Sequence, residues 1–242
     1  MDVIVETNPQ TASQAGTDLL ATLIRRKPTL KAVLATGNTP MDMYSRLAAL
    51  KNAGKIDAGQ MTVFQLDAYL DVPDTDPRSL YGWMDRSFIQ PMDIPATQVH
   101  RFRETSDDPH GDCVRYADTI RASGGFDLAV LGLGPNGHLG FNEPPSAADA
   151  TTRVVTLTPE SIISNAVYWG GIARVPKVSV TVGMDALLAS SQIILIATGA
   201  HKHDILRRTV EGPVTPDVPS SFLQTAAKVT IITDRAAWEG DR

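Results

Sequence analysis

The sequence predicts an α/β fold in which a mostly parallel, doubly wound sheet is flanked by helices. Short apolar runs rich in Val and Ile alternate along the chain with longer segments of helical periodicity. These runs are continuous rather than alternating with polar residues, which indicates strands buried on both faces, as in parallel sheets. No Gly/Ser linker, repeat or low-complexity segment interrupts the 242 residues, so residues 1–242 are expected to form a single domain.

The first half of the chain alternates strands and helices in a regular order. Its predicted strands are runs of consecutive apolar or β-branched residues: 3–5, 31–36 and 61–67. Its predicted helices have apolar residues three or four positions apart: 11–26, a segment through Tyr44, Leu47 and Leu50, and 79–89.

The second half continues the alternation. The predicted strands are residues 126–134, 153–157, 178–182, 192–198 and 228–233, and the predicted helices are residues 112–122 and the segments after Pro159 and after Gly199. This order is typical of a modified doubly wound, Rossmann-like sheet. Ligands of such sheets bind beyond the carboxyl ends of the strands, so the residues that follow each strand are the candidates for a functional site.

Composition excludes several classes of function. The net charge is −5 and no block of basic residues occurs, which argues against a nucleic-acid or membrane surface. The only cysteine is Cys113, so no internal disulfide can form. The N-terminus lacks a signal-peptide pattern and no apolar run is long enough to span a membrane. We therefore expect a cytoplasmic protein, and the sequence leaves open whether it forms a homo-oligomer.

The turn after the second strand, TGNTP, favours an anion. It comprises Thr36, Gly37, Asn38 and Thr39, with Thr39 as the expected N-cap of the next helix and Pro40 at its first position. Free backbone N–H groups and the helix dipole at such a turn favour a phosphate. A plain strand-to-helix connection would have much the same sequence, and this alternative is equally acceptable for the turn alone.

Asp67 is expected to end the third strand, where a doubly wound sheet commonly carries a catalytic carboxylate. The alternative is a carboxylate that only caps a helix or forms a turn, and for Asp67 alone that alternative is preferred.

The segment GLGPNGHLGFNEPP, residues 132–145, follows the fourth long strand and contains the most unusual chemistry. Its glycines, among them Gly137, allow close approach of a ligand. A histidine is the residue type suited to proton transfer in the physiological pH range, so His138 could transfer a proton, and Glu143 could orient its imidazole. Most single loop histidines are ordinary surface residues, but a histidine among glycines at a strand end, with a glutamate nearby, indicates a site.

The predicted strand 192–198 leads into a turn and a helix, and the segment across this junction is ATGAHKHDIL, residues 197–206. Lys202 falls in the first turn of the predicted helix, where a cation opposes the helix dipole unless it binds an anion. Simple tolerance at a solvated helix start is the alternative. His201 and His203 lack a partner His or Cys on a shared face, so no metal site is predicted.

Taken together, these motifs resemble the glucosamine-6-phosphate deaminase/isomerase family. TGNTP, LDAY, GLGPNGHLGFNEP, VPKVSVTVGMDALL and GAHK…VEG occur in the order of that family and cover nearly the whole chain. The related 6-phosphogluconolactonases share the fold and a similar histidine element, but their segment after the histidine usually continues toward SLFP. GFNEP in this chain favours the deaminase side.

The resemblance implies conversion of a hexosamine 6-phosphate to a ketohexose 6-phosphate and ammonia, without a metal or organic cofactor. It implies that Asp67 moves a proton between C2 and C1, and that His138 opens the sugar ring with Glu143 orienting it. Residues 36–39, Gly137 and Lys202 would bind the sugar phosphate.

The chain departs from the family at several positions. Ala68 replaces a frequent Glu, and Asn136, which we keep among the candidate catalytic residues, occupies a position that is Asp in some members. Val167 stands where members tend to carry a phosphate-binding Arg, and Arg174 is the nearby candidate to replace it. The chain ends soon after residues 228–233, without the extension of allosterically regulated members, so unregulated kinetics are expected.

Three functions are compatible with these residues. The first is deamination of glucosamine 6-phosphate, with galactosamine 6-phosphate as an alternative substrate because of Ala68 and Val167. The second is hydrolysis of 6-phosphogluconolactone, for which Asp67 would matter less. The third is a non-catalytic sugar-phosphate sensor, which the absence of a helix-turn-helix pattern and the acidic composition disfavour.

Overall fold

The computed structural model of the protein describes residues 1–73 and 75–240. In these ranges the strands are β1 Asp2–Glu6, β2 Lys31–Leu34, β3 Thr62–Gln65, β4 Asp67–Tyr69, β5 Val99–His100, β6 Leu128–Gly132, β7 Arg153–Thr156, β8 Val178–Thr181, β9 Gln192–Ala197 and β10 Val229–Asp234. The helices are α1 Pro9–Arg26, α2 Met41–Asn52, α3 Leu80–Met84, α4 Pro109–Ala122, α5 Pro159–Trp169, α6 Met184–Leu188, α7 His203–Glu211 and α8 Arg235–Glu239. A π-helical turn, Asp85–Ile89, continues α3 and completes the predicted helix 79–89.

Seven of the described strands form one parallel sheet in the order β1-β10-β9-β6-β2-β3-β5. The sequence order of the strands reverses on either side of β6 and β2, which is the topological switch at which doubly wound sheets bind ligands. The predicted fold class, α/β with a mostly parallel sheet, is confirmed.

Both faces of this sheet are buried, as the continuous apolar runs predict. In β2, Val33 packs into one core cluster together with residues of α4 and α7, while Ala32 and Leu34 pack into another with residues of α1 and α2. Successive side chains of a strand point to opposite faces, so a run without polar residues supplies both cores.

A second, three-stranded antiparallel sheet, in the order β4-β8-β7, lies outside the sequence prediction. Residues 61–67 were expected to form one strand ending at Asp67, and this expectation is wrong at its end. β3 stops at Gln65, whose side-chain amide donates to the Asp67 carbonyl (2.9 Å) and accepts from the Phe102 N–H (3.1 Å). The Val182 N–H then bonds the Leu66 carbonyl (2.9 Å), so the chain leaves the large sheet there and Asp67 begins β4.

Candidate active site

A cavity of about 530 Å³ opens beyond the carboxyl ends of the strands, where the segments following β2, β6 and β9 meet β4 of the small sheet. Most of the predicted site residues line it: Thr36, Gly37, Asn38, Thr39, Asp67, His138 and Lys202. The other predicted residues lie outside its lining: Asn136, Gly137, Glu143 and Arg174. Residues from four separate strand ends thus share one cavity of the size that small-molecule ligands occupy.

The turn after β2 forms one end of this cavity. Gly37 has φ +97° and no heavy atom within 4 Å of where a Cβ would stand, so the backbone is open to a ligand. The expectation that Thr39 caps the next helix is wrong, because Pro40 is the N-cap and no side chain caps α2. Proline cannot supply a capping oxygen, which leaves the N-terminus of α2 without a side-chain acceptor.

Asp67 is 8 % exposed, and its carboxyl lines the cavity. Among the described residues, no group donates a hydrogen bond to its side chain. Burial raises the pKa of Asp67 to about 7. A carboxyl group in this environment exchanges its proton near neutral pH, which is the property required of a general base.

His138, which lines the cavity, is paired with the buried Glu143. The imidazole Nδ1 lies 3.4 Å from Glu143 Oε2 and 3.2 Å from the hydroxyl oxygen of Ser161. The ring's opposite edge lies against Gly134, where a Cβ would overlap Nε2, Cδ2 and Cε1. The absence of a side chain at Gly134 therefore lets the histidine reach the cavity.

Glu143 is held as a carboxylate. Asn136 Nδ2 donates to its Oε2 (2.9 Å), and the Thr158 hydroxyl donates to the same oxygen (3.1 Å). Burial alone would raise the pKa of Glu143, but the hydrogen bond and charge of His138 and the hydrogen bonds from Ser161 and Asn136 outweigh it and lower the pKa to about 2. Asn136 thus acts on Glu143 rather than on the cavity, and Glu143 acts on His138.

Gly137 faces away from the cavity. It has φ +88°, and a Cβ there would meet Val218, Ile205 and Ser220. Its carbonyl accepts from the Ser220 N–H (2.8 Å). Gly137 therefore fixes the turn that presents His138 and does not contact a ligand in the cavity.

Lys202 reaches the cavity from the segment after β9. It ends a 3₁₀ turn, Ala200–Lys202, and is the N-cap of α7, one position before the helix in which it was expected. Its ammonium donates to the Leu133 carbonyl (2.6 Å), and burial lowers its pKa. One of its three protons is used in this bond, so the ammonium can also bind an anion in the cavity.

Arg174 is not at the site. It is exposed and lines a neighbouring depression with Lys177 and Pro176, which meets the cavity at Arg78 and Trp169. Val167, at the position where an arginine was expected, is 74 % exposed and does not line the cavity. The departure at Ala68 does not reach the cavity either, because its side chain is buried in the core.

Two arginines that sequence analysis missed, Arg78 and Arg86, line the cavity. Arg78 is bound to Asp76 through Nε (2.8 Å) and stacks on the Trp169 ring with its Cζ 4.5 Å from the centroid. Arg86 donates from Nη2 to the Pro77 carbonyl (2.6 Å), and its other nitrogens have no bond to a described residue. Arg78 precedes the predicted helix 79–89 and Arg86 lies within it, so residue type alone could not distinguish them from surface arginines.

Aromatic side chains of α3 and α5 connect Arg86 to the turn after β2. Trp83, three residues before Arg86, donates to Met41 Sδ (3.0 Å) and lies edge-on to Tyr168 with ring centroids 5.0 Å apart. Burial raises the pKa of the Tyr168 hydroxyl, and the backbone of Asn38 partly opposes this shift. Arg86 follows Trp83 by about one helical turn, and both residues line the cavity that residues 36–39 also line.

The described ranges hold no group of three or more His, Cys, Asp or Glu side chains arranged to bind a metal ion. In the same ranges, no helix is both long and apolar enough to cross a bilayer.

Known proteins resemble this chain over almost its full length. Residues 7–232 match the family model of glucosamine-6-phosphate isomerases/6-phosphogluconolactonase. The chain is 38 % identical to the glucosamine-6-phosphate deaminase of Halothermothrix orenii, covering 98 % of both chains. It is also 38 % identical to that of Rhodopirellula baltica, covering 98 % of this chain and 94 % of the relative.

Solved structures agree with these matches. A monomeric glucosamine-6-phosphate deaminase superposes with a TM-score of 0.96 at 32 % identity, over 100 % of both chains. A 6-phosphogluconolactonase from Trypanosoma brucei superposes with a TM-score of 0.78 at 21 % identity, over 100 % of this chain and 98 % of the other, and shares the fold.

Proposed function

We propose that this chain, which belongs to the family of glucosamine-6-phosphate isomerases and 6-phosphogluconolactonases, converts a hexosamine 6-phosphate into a ketohexose 6-phosphate and ammonia. The substrate proposed first is glucosamine 6-phosphate, on which the similar deaminases are named. The observation that carries the proposal is the placement of Asp67, with a pKa near 7, in the same cavity as His138, whose imidazole is paired with Glu143.

His138 opens the sugar ring in this proposal. Its Nε2 takes the proton from the anomeric hydroxyl O1 while C1=O1 forms and the bond from C1 to the ring oxygen breaks. The same nitrogen then gives the proton to the ring oxygen. One group both accepts and donates a proton near neutral pH, which suits an imidazole. The Glu143 carboxylate stabilises the imidazolium that forms between the two transfers.

Asp67 moves the next proton. Its carboxylate removes the proton from C2 of the open chain while O1 takes a proton from the substrate's own ammonium group, giving an enolamine with a C1–C2 double bond and a hydroxyl at C1. Asp67 returns its proton to C1, which leaves an iminium at C2. Water adds to C2, and the nitrogen leaves as ammonium, carrying the protons of the water, as the ketone forms. A carboxyl with a pKa near 7 is matched to both the removal and the return.

The phosphate would bind at the end of the cavity formed by residues 36–39, with Lys202 and Arg86 as its cations. Lys202 and Arg86 each keep donors that no described residue uses. Arg86 takes the place that sequence analysis gave to Arg174, since Arg174 does not line the cavity. A phosphate fixed at a distance from C1 and C2 supplies binding energy that positions the reacting carbons.

The specificity for the hexosamine remains a prediction. Ala68 and Val167, the departures that left galactosamine 6-phosphate open, do not line the cavity, which favours the glucosamine epimer. A cytoplasmic location, expected from the single cysteine, is likewise a prediction.

Ammonia release tests the proposal directly. Purified protein, with no added metal, is assayed on the 6-phosphates of glucosamine, galactosamine and mannosamine, with hydrolysis of 6-phosphogluconolactone measured in parallel. We expect ammonia from glucosamine 6-phosphate at the highest kcat/KM and no hydrolysis of the lactone. Release from none of the three amino sugars would refute the proposed function, and hydrolysis of the lactone alone would assign the chain to the hydrolytic branch.

A further inference from the structure

Ser161 is the nearest hydrogen-bonding neighbour of His138 Nδ1. Its hydroxyl oxygen lies 3.2 Å from Nδ1, closer than the 3.4 Å of Glu143 Oε2. The residue is completely buried in the first turn of α5, and its backbone N–H donates to the Thr158 hydroxyl oxygen of the N-cap (3.3 Å). The helix cap therefore fixes the position of the Ser161 hydroxyl relative to the imidazole.

The protons of the surrounding groups restrict what this hydroxyl can do. Glu143 Oε2 accepts from Asn136 and from the Thr158 hydroxyl. His138 Nδ1 faces two oxygens, that of Ser161 at 3.2 Å and Glu143 Oε2 at 3.4 Å. The carboxylate only accepts and already receives two hydrogen bonds, so a proton on Nδ1 suits both contacts, and the nearer Ser161 hydroxyl is its main acceptor.

We propose that Ser161 sets the tautomer of His138, holding the proton on Nδ1 and leaving Nε2 bare toward the cavity. Nε2 lies on the ring edge that packs against the cavity residue Gly134. In the ring opening described above, Nε2 must be unprotonated to take the O1 proton, so this tautomer is the reactive one. Ser161 is thus a positioning residue that acts through His138, and its role in catalysis rests on the proposed function.

Helix α5 then contributes to the candidate active site at both of its ends. Ser161 in its first turn orients His138, and Tyr168 and Trp169 in its last turn line the cavity. Any displacement of this helix would change the tautomer equilibrium of His138 together with the shape of the cavity.

Nitrogen-15 NMR of histidine-labelled protein tests the tautomer without any assay of activity. The chain has five histidines, and the signals of His138 are identified by their loss in a His138→Gln variant. The expected result for the wild type is a protonated Nδ1 and an unprotonated Nε2. For Ser161→Ala, we expect a mixture of both tautomers, and for Ser161→Thr, which keeps the hydroxyl, the wild-type spectrum.

Steady-state kinetics of ammonia release provide the second readout. Loss of one hydrogen bond in a charged network is expected to lower kcat of Ser161→Ala about tenfold to a hundredfold while KM stays within about twofold. Ser161→Thr is expected to retain most of kcat. Ser179→Ala is the matched control, since it removes another fully buried serine hydroxyl, one outside the cavity and without a described partner, and should leave kcat unchanged.

An Nε2–H tautomer in the wild type overturns the proposal even if Ser161→Ala fails to fold. A folded Ser161→Ala protein with the wild-type tautomer and kcat also overturns it. If the wild type releases no ammonia from any hexosamine 6-phosphate, the proposed function fails, and the spectra still decide whether Ser161 sets the tautomer.

Discussion

The imidazole of His138 occupies the space that a side chain at Gly134 would need. A Cβ on Gly134 would overlap three atoms of the ring. The backbone of Gly134 does not have a positive φ, so the requirement for glycine here comes from the contact and not from conformation. The His138 ring thus contacts Gly134 of the cavity wall with one edge and faces the carboxylate of the buried Glu143 with the other.

Gly134→Ala should therefore move the imidazole away from Glu143 and Ser161. We expect kcat for ammonia release to fall by about two orders of magnitude, a size typical for loss of one positioned proton-transfer group. The midpoint of thermal unfolding should change little, since alanine can adopt the backbone conformation. Gly59→Ala, where the nearest atom is the side-chain carboxylate of Asp57, controls for the added methyl group. An alanine variant at 134 with wild-type kcat would contradict this role of the contact.

Asp67→Asn should abolish turnover while the fold persists, because an amide cannot accept the C2 proton. In the wild type, the base must be ionised in the free enzyme, so kcat/KM should rise with pH through about 7, the pKa of the buried carboxyl. The pH profile of kcat/KM on glucosamine 6-phosphate measures this limb. A profile that is already flat below pH 6 would show that Asp67 ionises at its ordinary pKa.

The same carboxyl should make the protein less stable at high pH. Its pKa is raised from 3.8 in the unfolded chain to about 7 in the folded protein, so the folded state keeps a proton that the unfolded state loses. The free energy of unfolding should fall by on the order of a few kcal/mol as pH rises from about 4 to about 7. Above about pH 7 it should no longer change through this group. Asp67→Asn removes this loss of stability, because the amide does not ionise. Urea denaturation should show the variant to be more stable than the wild type at pH 8 and no more stable at pH 4.

The strand pattern was sufficient to predict the parallel sheet, because the apolar runs that fill both cores are visible in the sequence. It failed at Leu66, where one apolar run is divided between two sheets. That division depends on Gln65 bonding to the chain on either side of it and on β8, which arrives from far along the chain. β5, with two residues, is too short to produce a pattern at all.

The candidate site, like the fold, could be predicted only in part from the sequence. The rule that ligands bind at strand ends located Asp67, His138 and Lys202, since each follows or begins a strand. Proximity in sequence to Val167 suggested Arg174, whereas the cavity receives Arg86 from α3 and its π-helical extension. In the sequence, Ser161 cannot be distinguished from an ordinary serine in the first turn of a helix. It lies beside His138 only because α5 packs against the loop that carries the histidine.

Arg86 offers the sharpest test of how the phosphate is bound. Arg86→Gln should raise KM for glucosamine 6-phosphate about tenfold with little change in kcat, because the lost interaction, a charge-assisted hydrogen bond, binds the ground state and the transition state alike. Inorganic phosphate, as a competitive inhibitor, should lose affinity by a similar factor. Arg174→Gln is the matched control: it removes the same charge from an exposed arginine outside the cavity and should leave both constants unchanged. If Arg174→Gln raised KM and Arg86→Gln did not, the phosphate would have to bind in the neighbouring depression that Arg174 lines, and the assignment of the cations would be reversed.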